Sequence, residues 1–355
     1  FVVAAVIAVV ISQWKTLQPG QATVIGGLGV LAAAGITFFS QHLSRASEEN
    51  RSQANLADQR ARALHDRYAM ANNQLAHESA AVRLGGVYAL RSLADDWHSF
   101  GNDNERQVCI DLLRAQLRLP EKISAADAAD PIASQGEAEV RQAIIQVIAA
   151  RRLLPYDDPQ SWTATNTDMS NSVLRGLDLS RLDLRGAVLI NADLSGATLI
   201  DVIMSGATLI GADFSRAKLT GHADLSKENL SRATLTHADL MNAKLPCGDL
   251  TDANLTDAML NKATLTSATC RRAIFTRAKL LGADLTNATL TGEAHLEYAV
   301  LSDHAKLIGA DLTTAYLNHA NLNYAALDSA ILSGAHLDDA QMKCAHLTNA
   351  SLTSA

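Results

Sequence analysis

A five-residue repeat fills the second half of the chain and constrains its fold more than any other feature. From Ser172 to the end of the sequence, 36 blocks carry an apolar residue at the same central position. The central residue is Leu in 31 blocks, and the residue two places before it is Ala in 30. The five central exceptions are Met204, Phe214, Cys270, Phe275 and Met342.

A period of five matches neither the turn of an α-helix, about 3.6 residues, nor the two-residue alternation of a strand. Short fixed periods are typical of stacked coils in which each repeat contacts only its neighbours. One large and one small apolar side chain per block suit a narrow interior, and the other three positions are mostly polar. We therefore predict a solenoid with the Leu and Ala side chains inside.

The blocks resemble the pentapeptide-repeat family, whose motif is A-(D/N)-L-x-x; residues 192–196, A-D-L-S-G, are one example. The resemblance covers about half of the chain. It implies a mainly β fold, a right-handed quadrilateral β-helix with four blocks per coil. The 36 blocks would then give about nine coils. At the spacing of neighbouring strands, roughly 4.8 Å, the rod would be roughly 43 Å long.

Three one-residue slips interrupt the register of the repeat. At three places the central positions step by six residues instead of five. We predict that each extra residue forms a bulge at a corner of the coil, near His222, Glu293 and His304. The bulges are interpreted either as tolerated surface insertions or as features that shape a binding face.

Charged residues recur at intervals of 20 within the repeats. With four blocks per coil, residues 20 apart should lie above one another on the same side of the rod. Two columns are predicted in this way: Arg232, Asp252 and Arg272, and His237, Asp257 and Arg277. Mixed columns favour a solvated ladder of alternating charge over a basic surface for nucleic acid.

Two apolar stretches at the N-terminus predict a transmembrane helical hairpin within residues 1–40. Residues 1–12 are almost wholly apolar, and residues 22–39 contain no charge. An uncharged span of that second length can cross a bilayer as a helix, and the first stretch qualifies if further residues precede Phe1. The alternatives are a cleaved signal peptide for the first stretch and a buried hairpin in a soluble protein.

Basic residues set the predicted orientation of the hairpin. Lys15 is the only basic residue between the two stretches, whereas five arginines follow the second one within residues 45–67. The positive-inside tendency therefore places everything after residue 40 in the cytoplasm, with residues 1–39 embedded in a bacterial inner (plasma) membrane. Four scattered Cys without C-x-x-C spacing agree with a reducing compartment.

Residues 41–160 are interpreted as a helical stalk and a helical cap, followed by the repeat domain over residues 161–355. A polar, Ala-rich stretch predicts a long helix over residues 45–75. Periodic apolar residues and stop signals predict helices over 80–95, 103–117 and 137–152, with a linker over 123–136. Ser79 and Asp103 are the predicted N-caps of the first two.

The segment from Arg83 to Leu90, R-L-G-G-V-Y-A-L, is the most distinctive part outside the repeats. It resembles the segment that precedes the repeats in a group of bacterial membrane-linked pentapeptide-repeat proteins, and it also resembles one helix of a HEAT-type pair. Glycine inside a helix costs about 1 kcal/mol relative to Ala. We therefore expect another backbone to approach Gly85 and Gly86 closely. Nucleotide binding is excluded because no strand precedes them and no phosphate-loop motif is present.

The open ends of a solenoid need caps. We expect the helical region to plug the N-terminal end, where Leu177 and Leu182 replace the usual Ala. Nothing follows Ala355, so the last coil is predicted to be bare. Either the sequence is truncated, or two copies form a homodimer end to end through this coil.

The sequence predicts no catalytic, cofactor-binding or metal site. No G-x-S-x-G, H-E-x-x-H or Walker motif occurs, and the eleven His are scattered. His336 and His346 lie 10 residues apart and should face opposite sides. His319 and Asp339 lie 20 apart and could stack, but two residues make a poor metal site. Cys270 takes an interior Leu position and is interpreted as a core residue.

These features predict a non-enzymatic, membrane-anchored scaffold that presents a rigid rod to a protein partner, without a small-molecule substrate. The resemblance implies an alternative, because some pentapeptide-repeat proteins mimic duplex DNA and bind DNA gyrase, a topoisomerase. Mimicry requires a strongly negative surface, whereas the repeats hold 19 acidic and 15 basic residues. Membrane anchoring also argues against access to gyrase. An enzyme with a site hidden between helices and rod is the third alternative.

Overall fold

The computed structural model describes residues 19–120 and 131–355, with side chains from residues 35 and 135 onwards in these two stretches. The chain divides into two compact units, residues 1–66 and 67–355. In the first unit, the described residues belong to helix α1, Pro19–Ala76. The last turns of α1, from residue 67, belong to the second unit.

Helix α1 contains both the second predicted membrane span and the predicted stalk. No Gly or Pro occurs between residues 36 and 84, so nothing interrupts the helix between the two parts. Within the part of the chain that the structure describes, no helix is both long enough and apolar enough to span a bilayer. The first predicted span, residues 1–12, lies outside the described residues. The transmembrane hairpin therefore stays a prediction.

Three further helices follow α1 in the second unit. Their bounds are Ala80–Ser99 (α2), Asp103–Arg118 (α3) and Pro131–Arg152 (α4). The predicted start of the last helix was wrong by six residues, because Pro131 rather than Glu137 begins it. Pro suits the first helical position, since its fixed φ is helical and its missing N–H would have no partner there.

Of the two predicted N-caps, Ser79 is confirmed at the N-cap position of α2, whereas Asp103 is wrong. The Ser79 side chain makes no capping hydrogen bond. Asn102 caps α3, because its side-chain oxygen accepts a hydrogen bond from the Glu105 N–H at 3.2 Å. Asp103 is the first residue of α3 and instead contacts His98, with 2.6 Å between Oδ1 and Nδ1.

The glycine pair lies where α2 packs against the end of α1. A Cβ on Gly86 would lie 2.9 Å from the Leu75 backbone nitrogen and 3.0 Å from the Ala71 carbonyl oxygen. The predicted close approach of another backbone is therefore confirmed for Gly86. It is wrong for Gly85, which has open space around it.

Parallel β-bridges join successive coils of the repeat region and define its four sides. The bridges form four columns that begin at Val173 (side 1), Asp178 (side 2), Asp183 (side 3) and Val188 (side 4). Each column contains nine residues, and partners are 20 apart wherever no extra residue intervenes. The predicted four-sided β-helix of about nine coils is confirmed in these features.

The Leu and Ala of each block fill the interior as predicted. Every central residue from Leu174 to Leu332 is at most 1% exposed, including Phe214 and Cys270. The backbone stays hydrogen-bonded around most corners: the Ala253 N–H donates to the Leu250 carbonyl at 3.0 Å. The central residues donate to the next coil, as from Leu255 to Ile274 at 2.7 Å. Apolar burial and the backbone hydrogen bonds between coils together stabilise the rod.

The three predicted corner bulges are confirmed. At each one the bridge partners change from 20 to 21 or 22 residues apart, as from Ile274 to His295. Glu293 and His304 take positive φ values of 68° and 62°. At the first bulge, the His222 N–H donates to the Asp201 carboxylate at 3.0 Å. The extra residues therefore sit at corners and leave the interior pattern unchanged.

The helices cap the first coil, as predicted. The Val173 N–H donates to the Leu117 carbonyl at 2.7 Å, and the Val173 carbonyl accepts from Arg141 Nη1 at 3.0 Å. Glu137 holds this arginine through Oε1–Nε at 3.0 Å and holds Arg83 through Oε2–Nη2 at 2.6 Å. All three charged side chains are buried. The exposed edge of the first coil therefore gains hydrogen-bond partners from a buried ion network.

At the other end, the last coil is partly open to solvent. The central residues Leu337, Met342 and Leu347 are half-buried, and Leu352 is 42% exposed. No coil of the described chain lies above them. Whether two copies meet there stays a prediction.

Candidate interaction surfaces on the coils

Outward side chains lie at fixed heights along the rod. In each block the residues just before and just after the central one are mostly half-exposed. The residue two places after the central one is the corner residue. The corner residue takes a positive φ, as at Asn191 (54°) and Asp252 (61°). Asn and Asp tolerate this conformation better than most residues. Since coils repeat at strand spacing, any outward residue lies roughly 4.8 Å from its neighbour in the next coil.

The predicted charge columns are confirmed. Arg272 makes a two-bond contact with Asp252, at 2.6 and 2.8 Å, and Arg277 makes one with Asp257, at 2.7 and 2.6 Å. Hydrogen bonds from these arginines lower the pKa of both carboxyls below their usual value. Arg232 contributes through space to the lowered pKa of Asp252. Arg272 and Arg277 are therefore paired with carboxylates, as expected for a mixed ladder.

Aromatic rings stack on side 1 of the last three coils. His295, Tyr316 and His336 form one column, with ring centroids 5.0 and 4.7 Å apart and planes within 17° of parallel. At the adjoining corner, Tyr298 stacks on His319 at 4.7 Å. The spacing of the coils alone brings rings at equivalent positions into stacking distance. We call this surface, formed by residues 292–298, 314–319 and 334–339, the ring face.

A buried carboxyl group interrupts the apolar interior on side 4. Glu228 takes the place of the inner Ala and is 1% exposed, and neither of its carboxyl oxygens has a hydrogen-bond partner. The N–H groups of Ala207 and Gly206 favour the charged form, but the Ala207 N–H is already bonded to the Met204 carbonyl at 2.8 Å. Burial dominates and raises the pKa of Glu228 to about 8. The group is therefore protonated near neutral pH.

Sequence reasoning missed Glu228, although a signal was present. An acidic residue stands at an inner position that is Ala in 30 of 36 blocks, and Gly248 follows at the same position one coil later. A Cβ on Gly248 would lie 3.2 Å from the Leu245 carbonyl oxygen and 3.8 Å from the backbone carbonyl oxygen of Glu228. Glu228 and Gly248 therefore change the interior of the rod rather than its surface.

The residues that the sequence singled out for possible chemistry are dispersed. His336 belongs to side 1 and His346 to side 3, as predicted. His319 contacts Asp339, with 3.5 Å between Nδ1 and Oδ2. Burial raises the pKa of the Cys270 thiol to about 12, which suits a core residue. Among the described residues, no group of three or more His, Cys, Asp or Glu could hold a metal ion.

Four columns of parallel bridges, a Leu and Ala interior and corner bulges define a repeat protein of the solenoid class. The chain belongs to the pentapeptide-repeat family. Eight copies of the "Pentapeptide repeats" family model match residues 163–292 and 294–355. No curated protein is detectably similar to the chain in sequence.

Several solved structures are similar to the repeat region. HetL, a pentapeptide repeat protein involved in heterocyst differentiation regulation in the cyanobacterium Nostoc, is 34% identical; the match covers 52% of this chain and 86% of HetL, with a TM-score of 0.30. A thylakoid-lumen pentapeptide repeat protein of Arabidopsis thaliana is 36% identical over 33% of this chain and 70% of its own, with a TM-score of 0.15. QnrB1, a plasmid-mediated fluoroquinolone resistance protein, is 17% identical. The match covers 52% of this chain and 82% of QnrB1, with a TM-score of 0.26. The family assignment rests on the repeat match.

Proposed function

We propose that the chain is a non-enzymatic scaffold that binds a protein partner through the outer sides of its rod, in the cytoplasm and anchored to a membrane by residues 1–39. One observation carries the proposal: the bridge columns hold outward side chains in register over nine coils. Pre-ordered side chains lose little conformational entropy on binding. A surface of this kind is suited to recognition.

The interaction is tested by crosslinking the full-length chain in its native membranes and identifying the products by mass spectrometry. A specific protein partner should be recovered. A control chain with Asp252→Asn and Asp257→Asn keeps the coils but changes two outward columns, and it shows whether those columns take part. Recovery of no reproducible partner would contradict the scaffold function.

Membrane anchoring is supported by the uncharged sequence of residues 22–39. Sodium carbonate should leave the full-length chain in the membrane pellet. Arginines in place of Ile25 and Leu31 should release it, since each charge at mid-membrane costs about 2.5–3.5 kcal/mol. Release of the unaltered chain by carbonate would show that it is not an integral membrane protein.

Binding to DNA gyrase is less well supported. A duplex mimic needs a continuous negative surface, but the Asp252–Arg272 and Asp257–Arg277 columns alternate in sign. We expect the purified chain to leave gyrase supercoiling activity unchanged. Inhibition at stoichiometric concentration would reverse this choice.

A further inference from the structure

The ring face differs in charge from the rest of side 1. Its three segments contain four carboxylates, Glu293, Glu297, Asp338 and Asp339, and neither Lys nor Arg. The six earlier blocks of side 1 contain three arginines. Two of them lie next to carboxylates of this side, and the third is Arg216. The ring face is therefore the one strongly acidic part of this side among the described coils.

The partners of the carboxylates differ in the same way. Lower on side 1, Asp193 meets Arg175 and Asp257 meets Arg277, each at 2.6 Å. On the ring face, Glu297 Oε1 lies 2.8 Å from His295 Nδ1, and the Asn318 amide donates a hydrogen bond to Asp338 at 3.1 Å. No Lys or Arg of the described chain lies within ion-pair distance of these ring-face carboxylates.

The rings of this surface are ordered before any partner arrives. Each ring is held by stacking in its column, and Tyr298 remains 55% exposed at the corner. Tyr offers large contact area with few rotatable bonds, so it contributes to binding at low entropic cost.

We propose that the ring face binds a basic, arginine-containing segment of a partner protein. A guanidinium group can donate two parallel hydrogen bonds to one carboxylate while its plane lies against an open ring face, such as the side of Tyr298 that is turned away from His319. A lysine ammonium matches the charge but not the planar geometry. This inference rests on the proposed scaffold function and names the chemistry of its partner.

Other occupants fit the surface poorly. A metal ion would need three or more ligands, and no such group occurs among the described residues. Nucleic acid would be repelled by four carboxylates, none of which forms an ion pair with a Lys or Arg of the described chain. A second copy of this chain is a further occupant, and it would appear as self-association in the test below.

The test uses the full-length protein in detergent micelles and two fluorescent hexapeptides, alternating Gly with Arg or Gly with Lys. The Arg peptide should bind about tenfold tighter than the Lys peptide, because only Arg pairs in a planar, two-bond geometry. Equal affinities would show general attraction to a negative chain and would overturn the inference.

Two variants localise the binding. Tyr316→Thr with Tyr298→Asn removes both tyrosines and keeps residue types that suit an outer position and a corner. Tyr324→Asn makes the same corner change on the next corner of the rod and serves as the matched control. The ring variant should bind the Arg peptide about tenfold more weakly, and the control should bind normally. Unchanged affinity in the ring variant would place the binding elsewhere.

A third variant tests whether weaker binding could come from a disturbed fold in the ring variant. Asp338→Asn with Asp339→Asn keeps every ring and changes only charge, and it should also weaken Arg-peptide binding about tenfold. Unchanged affinity in this variant would overturn the inference. If crosslinking recovers a membrane partner while the Arg peptide fails to bind, the ring-face inference falls and the scaffold function stands. Concentration-dependent dimerisation that the ring variant abolishes would identify a second copy as the occupant, and would likewise overturn it.

Discussion

Replacing Glu228 with Ala should stabilise the rod, and the gain should grow as the pH rises. The inner position that Glu228 occupies is Ala in most blocks, so Ala fits the coil without strain. Its carboxyl is buried without hydrogen-bond partners, and burial raises its pKa to about 8 from the usual 4.5. The folded chain therefore has to keep this group protonated.

The sign and size of the effect follow from the two pKa values. Because the folded-state pKa is the higher one, the folded state is not penalised below about pH 4.5 and loses stability as the pH rises towards 8. One pKa unit corresponds to about 1.4 kcal/mol, so the penalty near pH 7 is roughly 3 kcal/mol. Glu228→Ala should remove it. Glu228→Gln should also remove the pH dependence, but it leaves a buried amide that costs about 1–3 kcal/mol if unpaired.

The assay is urea unfolding followed by circular dichroism between about pH 4.5 and 8, on the unaltered chain, both variants and Glu139→Gln. Glu139 is an exposed carboxylate on α4, so its replacement controls for the loss of one charge. The stability of the Ala variant relative to the unaltered chain should increase by roughly 3 kcal/mol from the lowest pH to neutrality. Parallel pH profiles for these two chains would show that the buried carboxyl does not carry a raised pKa.

Three further predictions follow from the packing. Glu137→Gln should destabilise the chain by about 3–5 kcal/mol in urea unfolding, because it leaves two buried arginines without their carboxylate. Glu139→Gln on the same helix should have little effect. Equal losses of stability in the two variants would argue against the buried network. Asp252→Asn should leave the thermal midpoint nearly unchanged, since its ion pair is exposed; a large drop would mean that the charge ladder stabilises the coils. In the native state, a maleimide should label the exposed Cys344 and spare Cys270, whose thiol is buried with a pKa of about 12; labelling of both at equal rates would indicate an open interior.

The coil was predictable from sequence because two kinds of side chain fill most of its interior. A Leu every five residues and an Ala two places before it leave no alternative packing, so the columns and bulges could be counted directly. The helix boundaries were less predictable. Asn102 and Asp103 are both good caps, and only the backbone geometry shows that Asn102 takes the role.

The ring face could have been found by counting through the bulges. His295, Tyr316 and His336 are 21 and 20 residues apart, because the extra residue at His304 lies between the first two. A search at a fixed interval of 20 pairs Tyr316 with His336 but misses His295. Glu228 required a different test, a comparison of each inner residue with the consensus Ala. Its raised pKa depends on burial and on missing donors, which only coordinates provide.

The contact between Val173 and the helices favours one order in which the coils of the solenoid can fold. A free first coil would have to form its corners with no template, whereas here Leu117 and Arg141 present a ready-made edge. We expect the coils to form in sequence from that edge, so that a nascent chain folds each turn onto the previous one as it leaves the ribosome. Pulse-labelling hydrogen exchange during refolding should then show amide protection in the first coil before the ninth.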